Sequence, residues 1–567
     1  TWSEISVGCE ACHGPASNHV AWASKSNGWE QYDSDKGFVQ NLGERKGVTW
    51  PMGDNGQATR SVPRSSAKEI GVCAGCHARR QQFSDDPESV ARLFDAFRPS
   101  LLETGLYHVD GQQRDEVYNY GSFLESRMHA AGVTCSDCHN PHTGKLRQTG
   151  NDLCGQCHAA ERFDVTTHHH HAPNSKGAQC AECHMPGTTY MGVDARRDHS
   201  MRIPRPDRTV LLATPNACNQ CHTDKTASWA ADAIKTWYPS SKVGAQDFAE
   251  AFERGDRGAP GAQAALIGIA EASSESPIAR ASAIIRLRRY LSPQVLEFAA
   301  GSLKIDDPQI RTAAVSVIAG ADPETRRTLL VPLLRDSTRM VRMDAARAIA
   351  GEAERNLSPD DRALFEKALD EYVDAQLFNA ERPESQLNLG ALYRDQGRMD
   401  EARHAFAKAI EIDATFAPAA VSLADLTRSE GDESAAETVL RQSLAANPRS
   451  GALWHALGLS LIREKRLPDA IVSLAKAVEC APEEPRFGYV YGVALHDTGK
   501  PAEAIEVLKS ALTRHPYDRN ILWALATYAI EAGDYASALE RAALLSQLEP
   551  NRTDVTQLLG ELRRQAR

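Results

Sequence analysis

The chain has 567 residues, 42% of them hydrophobic and 25% charged, with 64 Lys and Arg against 75 Asp and Glu for a net charge of −11. That length exceeds what one hydrophobic core fills and fits three or four domains. The acidic balance argues against general nucleic-acid binding, which needs a basic face to neutralise phosphates, and no apolar run reaches the roughly eighteen residues that span a membrane.

The chain opens at Thr1, without an initiator Met or a charged-then-apolar leader, and reads as a processed or truncated piece of a longer precursor. Twelve of the 13 Cys and 15 of the 19 His lie before residue 223. Residues 1–238 are rich in Gly, Pro, Asn and Ser and show little helical or strand periodicity, so they fold only if something other than apolar side chains supplies the core.

Six Cys-x-x-Cys-His motifs fill this segment: Cys9/Cys12/His13, Cys73/Cys76/His77, Cys135/Cys138/His139, Cys154/Cys157/His158, Cys180/Cys183/His184 and Cys218/Cys221/His222. Two thiols three positions apart reach the two vinyl groups of one porphyrin, and the next imidazole is aimed at its iron. The spacing therefore predicts six covalently attached haem c groups, with a short helix at each motif. Zinc sites or disulfides use paired Cys as well, but neither requires His directly after every second Cys.

Each iron then needs a second axial ligand or an open position. Nine other His stand in the segment: His19, His108, His129, His142, His168, His169, His170, His171 and His199, with Met128, Met185, Met191 and Met201 as alternatives. His142, three residues after His139, points away from its own haem and suits a neighbour, and His19 stands likewise to His13. One or two of His168–His171, with His168 and His171 as the choice, are expected to ligate. His199 sits beside Arg196 and Arg197, which suit propionates, and His108 and His129 complete the candidate set.

From about 239 the text becomes Ala-, Leu- and Arg-rich. Arg280, Arg311 and Arg342 stand 31 apart, as do Ala283, Ala314 and Ala345, with Pro277 and Pro308 at helix starts; residues 239–382 read as HEAT-like helical repeats. Residues 383–552 carry a period of 34, with Gly390, Gly458 and Gly492 in one register. Gly397, Gly431, Gly499 and Gly533 mark turns, with Lys465 as the exception, and Ala402, Ala436, Ala470, Ala504 and Ala538 mark close helix packing. This pattern resembles five tetratricopeptide repeats, and 553–567 reads as a polar capping helix. Cys480 has no partner Cys and reads as a packing or surface thiol. The predicted fold class is mainly α: a loop-rich multihaem segment followed by an α-solenoid.

The stretches around Cys9–Pro15, Gly132–His142 and Cys180–Pro186, with His199–Pro206, resemble the multihaem cytochromes of the c-554/c-552 group, members of which occur fused to tetratricopeptide repeats. The resemblance implies a haem-packed fold, an exported location and relatives that process nitrite or hydroxylamine. It supports His19, His142 and His199 as distal ligands, with one or more of His168, His170 and His171. No Cys-x-x-Cys-Lys motif is present, so the lysine-ligated catalytic haem of pentahaem nitrite reductases has no counterpart here, and relatives commonly carry further motifs upstream. Two functions are weighed: electron transfer through mostly bis-His haems with the repeats docking redox partner proteins, and oxidoreduction of a small nitrogen or sulfur compound at one open haem, for which Tyr190, Arg196 and Arg197 are available. A scaffold with structural haems is a third. The expected compartment is the periplasm or the outer surface.

Overall fold

In the computed structural model, residues 7–24, 35–86, 92–239 and 246–565 are described. Chain contacts divide it into two units: one of residues 1–253, 266–320 and 335–344, the other of 254–265, 321–334 and 345–567.

The first unit has little regular structure before residue 240. Each motif has its first Cys on a helix, at Cys9–His13, Lys68–His77, Cys135–Cys138, Asp152–Gly155, Cys180–His184 and Cys218–Cys221, with Cys157 and His158 of the fourth motif beyond its helix. Three two-stranded antiparallel hairpins complete the pattern: Arg80–Gln82 with Phe97–Pro99, His139–Asn140 with Lys145–Leu146, and Gly187–Tyr190 with Asp194–Arg197. Apolar packing is confined to the middle of the segment. Ile70, Phe83, Phe97, Leu102, Tyr107, Val117 and Leu124 are buried, whereas between Cys135 and Trp237 the buried hydrophobic residues among those described are Ala159, Ala178, Tyr190 and Ala230. Four of the six motifs fall in that stretch, where side chains alone make no core.

The middle of the segment rests on helices written in the Ala- and Leu-rich text. Helix Pro277–Arg286 packs on helix Pro308–Ile318 and on Tyr120–Glu125. Its Ser282 Oγ accepts the Leu102 N–H at 2.9 Å, Asp95 accepts the Arg339 N–H at 2.7 Å, and the Arg98 guanidinium pairs with Asp344. The aligned Ala283, Ala314 and Ala345 are all fully buried, and Arg311 is paired with Asp336 at 2.8 Å.

The second unit contains five helix pairs, Pro383–Asp395 with Met399–Ile412, Ala417–Ser429 with Glu433–Ala446, Gly451–Arg463 with Leu467–Cys480, Pro485–Asp497 with Pro501–Arg514, and Arg519–Glu531 with Tyr535–Leu548. Ala402, Ala436, Ala470, Ala504 and Ala538 are buried between the helices of each pair. The glycine register has a steric cause: a Cβ on Gly458 would lie 2.7 Å from Leu474. The turn register is left-handed throughout, with φ of 75° to 96° at Gly397, Gly431, Gly499 and Gly533, and Lys465 adopts φ 63° in the same place. The closing helix Thr553–Gln565 is amphipathic rather than polar, burying Val555, Leu559 and Leu562. No helix among the described residues is long and apolar enough to cross a membrane.

Candidate haem-binding sites

The motif helices are held to one another by polar contacts that begin beside the cysteines. Glu69, one turn before Cys73, accepts the Ser136 backbone N–H at 2.7 Å and its hydroxyl at 2.9 Å, tying the second motif to the third. Asn151 does the same for the fourth and fifth: its Oδ1 accepts the Cys180 N–H at 2.9 Å and its Nδ2 donates to the Ala178 carbonyl at 3.0 Å. The Cys73 and Cys135 thiols accordingly lie near enough to influence one another's ionisation, as do those of Cys154 and Cys180. The remaining neighbours also follow sequence order. Cys12 lies within electrostatic reach of Cys73 and Cys76, Cys138 of Cys157, and Cys183 of Cys218 and Cys221. Burial and Asp137 push the Cys138 thiol up to about 11.

Four motif imidazoles face a non-motif imidazole. The ring centres are 6.3 Å apart for His13 and His142, 6.4 Å for His139 and His199, 6.2 Å for His184 and His168, and 6.0 Å for His222 and His171. The first three pairs are within 20° of parallel and the fourth is tilted by 37°. Two imidazoles sharing one metal need about 2 Å for each metal–nitrogen bond and roughly 1 Å from each nitrogen to its ring centre, which sums to about 6 Å. The four gaps fit an iron between each pair.

The other ring nitrogen is held in most of these residues. Nδ1 meets a backbone carbonyl in His13 (Gln40, 3.4 Å), His184 (Arg202, 2.8 Å), His199 (Arg197, 2.9 Å) and His171 (His169, 2.5 Å). In His168, Nδ1 lies 3.2 Å from the Tyr238 hydroxyl. Such a contact fixes the tautomer with Nδ1–H as donor and leaves Nε2 as the ligating atom. Burial lowers the His184, His199 and His168 pKa values, keeping these rings in the neutral form that binds metal. Thiol pairs, facing imidazoles and a stretch from Cys135 to Trp237 with few buried apolar side chains among those described together fit covalently held haem.

The other candidates are placed differently. His77 and His158 face no imidazole among the described residues; His158 has Phe163 edge-on at 5.6 Å, and the same ring stands edge-on to His168 at 5.5 Å. His19 points Nδ1 at the Lys36 carbonyl, 2.8 Å away, and stacks on Phe38 at 4.0 Å, so its Nε2 is oriented as in the paired residues although no motif imidazole faces it. His129 accepts from the Arg64 guanidinium on Nε2 at 3.0 Å, and burial with Arg64 lowers it to about 4. His108 is half-buried near Asp110 and Arg114 and faces no motif imidazole among the described residues. His170 stacks on Trp237 at 4.1 Å. Arg196 pairs with Glu116 at 2.6 Å, and Arg197 with Glu182 at 2.5 Å. Sequence reasoning missed Glu69, Asn151 and Phe163, whose roles come from positions far along the chain.

Family models match parts of the chain. A doubled CXXCH motif matches residues 129–163, a tetratricopeptide repeat matches 383–416, and the tetratricopeptide domain of cytochrome c-type biogenesis protein H matches 437–555. Curated relatives match over the repeats. Tetratricopeptide repeat protein 21A of Mus musculus is 31% identical over 150 residues, covering 26% of this chain and 11% of its own. Type IV pilus assembly protein PilF of Pseudomonas aeruginosa is 25% identical over 169 residues, covering 30% of this chain and 67% of its own. The chain thus spans about a tenth of the first relative. Among solved structures, PilF of Pseudomonas aeruginosa (24% identity, TM-score 0.29) covers 33% of this chain and 84% of its own, and YrrB, a tetratricopeptide protein with an unusual peptide-binding site (19%, TM-score 0.26), covers 32% and 94%. The chain joins a multihaem-type CXXCH segment to tetratricopeptide repeats.

Proposed function

We propose that this protein carries electrons through six haem c groups, one at each motif, and that its repeats dock the redox partner proteins. Haem c bound at each motif supplies a one-electron Fe(III)/Fe(II) couple. The two thiols of each motif would attach it and the motif imidazole would ligate it, and at four motifs His142, His199, His168 or His171 would supply a second imidazole. The observation that carries the reading is the set of four facing imidazole pairs at 6.0 to 6.4 Å. Contact between successive motifs in sequence order supports a continuous conduit rather than isolated centres. The repeats suit docking because stacked helix pairs present extended surfaces to peptides and proteins. We read the 31-residue period as HEAT-like and the compartment as periplasmic or extracellular, where covalent haem attachment of this kind operates.

A second reading has its own support. His77 and His158 lack a facing imidazole among the described residues, which favours up to two positions open to a small nitrogen or sulfur compound. Visible spectra of the ferrous protein under carbon monoxide, followed by nitrite and hydroxylamine, separate the two. Electron transfer expects reversible reduction, carbon monoxide on at most two haems and no turnover. Carbon monoxide on most haems contradicts the paired-imidazole assignment, and steady turnover of nitrite or hydroxylamine establishes the second reading instead.

A further inference from the structure

Helix Tyr120–Glu125 ends on a carboxylate for which haem attachment has no use. Both Oε atoms of Glu125 are buried without a hydrogen-bond partner, and the residue as a whole is 9% exposed. The carboxylate lies against Gly111, where an added Cβ would come within 2.1 Å of Oε1. Charged groups surround it: Arg202, Asp198, Asp110 and Glu275, with the Tyr107 phenol nearby.

The one cation of that set is already engaged. Arg202 donates through Nη1 to Asp110 Oδ2 and through Nη2 to the Asp110 carbonyl, both at 3.1 Å, and its Nε lies 3.7 Å from Asp198 Oδ2. The Asp110, Asp198 and Arg202 side chains are 1%, 7% and 6% exposed. Asp110 and Asp198 thus take Arg202, with Arg208 also within electrostatic reach of Asp110, while the Glu125 carboxylate is left without a partner and Glu275 adds negative charge. An unpaired buried carboxylate is strongly disfavoured in its ionised form. Burial pushes Glu125 well above the ordinary carboxylate range, and Arg202 only partly opposes it.

This cluster is wired to two of the imidazole pairs. The Arg202 N–H donates to the His184 carbonyl at 3.0 Å, and the Arg202 carbonyl meets His184 Nδ1 at 2.8 Å. Asp198 directly precedes His199, and its Oδ1 accepts the Ser200 N–H at 2.8 Å. Residues 198–202 thus carry the buried charges between the His139–His199 pair and the His168–His184 pair.

We propose that Glu125 is a redox-linked proton site, protonated when haem at these two pairs is reduced and ionised when it is oxidised. The inference rests on haem being bound at both pairs. The positive charge of a ferric centre favours the carboxylate anion, and its loss on reduction favours the acid. The balance is one electron from an external reductant, such as an electrode, to Fe(III), and one proton from water to a Glu125 oxygen; both return on oxidation.

The test is a potentiometric titration of the full haem-loaded protein between about pH 5 and pH 9, read by visible and infrared difference spectra. The expected result is that part of the low-spin haem population becomes harder to reduce as pH rises. The slope should approach a tenfold change in the reduction equilibrium per pH unit, 59 mV for a one-electron couple. A protonated-carboxyl band should appear on reduction. Glu125→Gln should flatten the slope and remove the band while haem content stays unchanged. Glu125→Asp, which keeps the acid on a shorter arm, should keep the band and move the pH midpoint, and it decides the matter if the Gln variant does not fold. Potentials independent of pH in the wild type, reduction without the band, or a Gln variant with wild-type slope and band would overturn the proposal. Absence of haem at the motifs would instead overturn the functional reading on which it rests.

Discussion

Residues 135–237 and residues 383–565 solve the same problem by opposite means. The repeats bury Leu and Ala side chains in every helix pair, so each element finds its partner within a few dozen residues. The motif-rich stretch buries four hydrophobic residues among those described and brings together imidazoles and thiols from distant loops. A chain with that little apolar burial cannot offset the entropy of ordering it. One region is stabilised by its own side chains; on the proposed function the other is stabilised by what is attached to it.

The comparison can be broken most decisively by withholding haem. Expressed in full length without haem attachment, the protein is expected to lose protease resistance across 135–237 while the repeats remain protected, as limited proteolysis with mass spectrometry would read. Equal protection of both regions would break the contrast. Within the repeats, Gly458→Val places side-chain atoms where a bare Cβ already meets Leu474 at 2.7 Å. Overpacking of this kind costs about 1–3 kcal/mol, to be seen as a lower repeat Tm in calorimetry with an unchanged haem spectrum.

A pH effect sharpens the same contrast. His455 in the third repeat is buried against Phe487, neither ring nitrogen has a partner, and burial followed by Arg486 lowers it to about 4. A folded-state value below the unfolded one means that the unfolded chain binds the proton first as pH falls. Repeat stability should therefore decline between about pH 6.5 and pH 4, by roughly 2 kcal/mol after allowance for partial exposure. His455→Phe should remove that decline in denaturant titrations at the two pH values. The smallest effect is at Lys465, the one turn position of the five without glycine, at φ 63°. Lys465→Gly is expected to raise repeat stability by about 0.5–1 kcal/mol.

The repeats were largely legible in the sequence because their signals are local. Gly390 recurs at fixed spacing because it packs against the second helix of its own pair, and Gly397 because the turn there is left-handed. The motifs were legible for the same reason, two thiols and one imidazole within five residues. Pairing between imidazoles was less so. His142 and His19 read in the sequence as serving a neighbour, but nothing local says that His142 faces His13 or that His171 faces His222. His129 shows the limit from the other side: its Nε2 is taken by Arg64, 65 positions away. The composition changes near residue 238, yet chain contacts carry 266–320 and 335–344 with the motif-bearing unit. Ser282 and Arg339 bond to Leu102 and Asp95 across that change, a link no periodicity announces.

The central claim is that haem c occupies all six motifs and takes the place of a hydrophobic core. A pyridine haemochrome assay against protein concentration tests it most directly. Six haems per chain is the expected result, and a ratio well below six, or cysteines that remain free to alkylation, would contradict it.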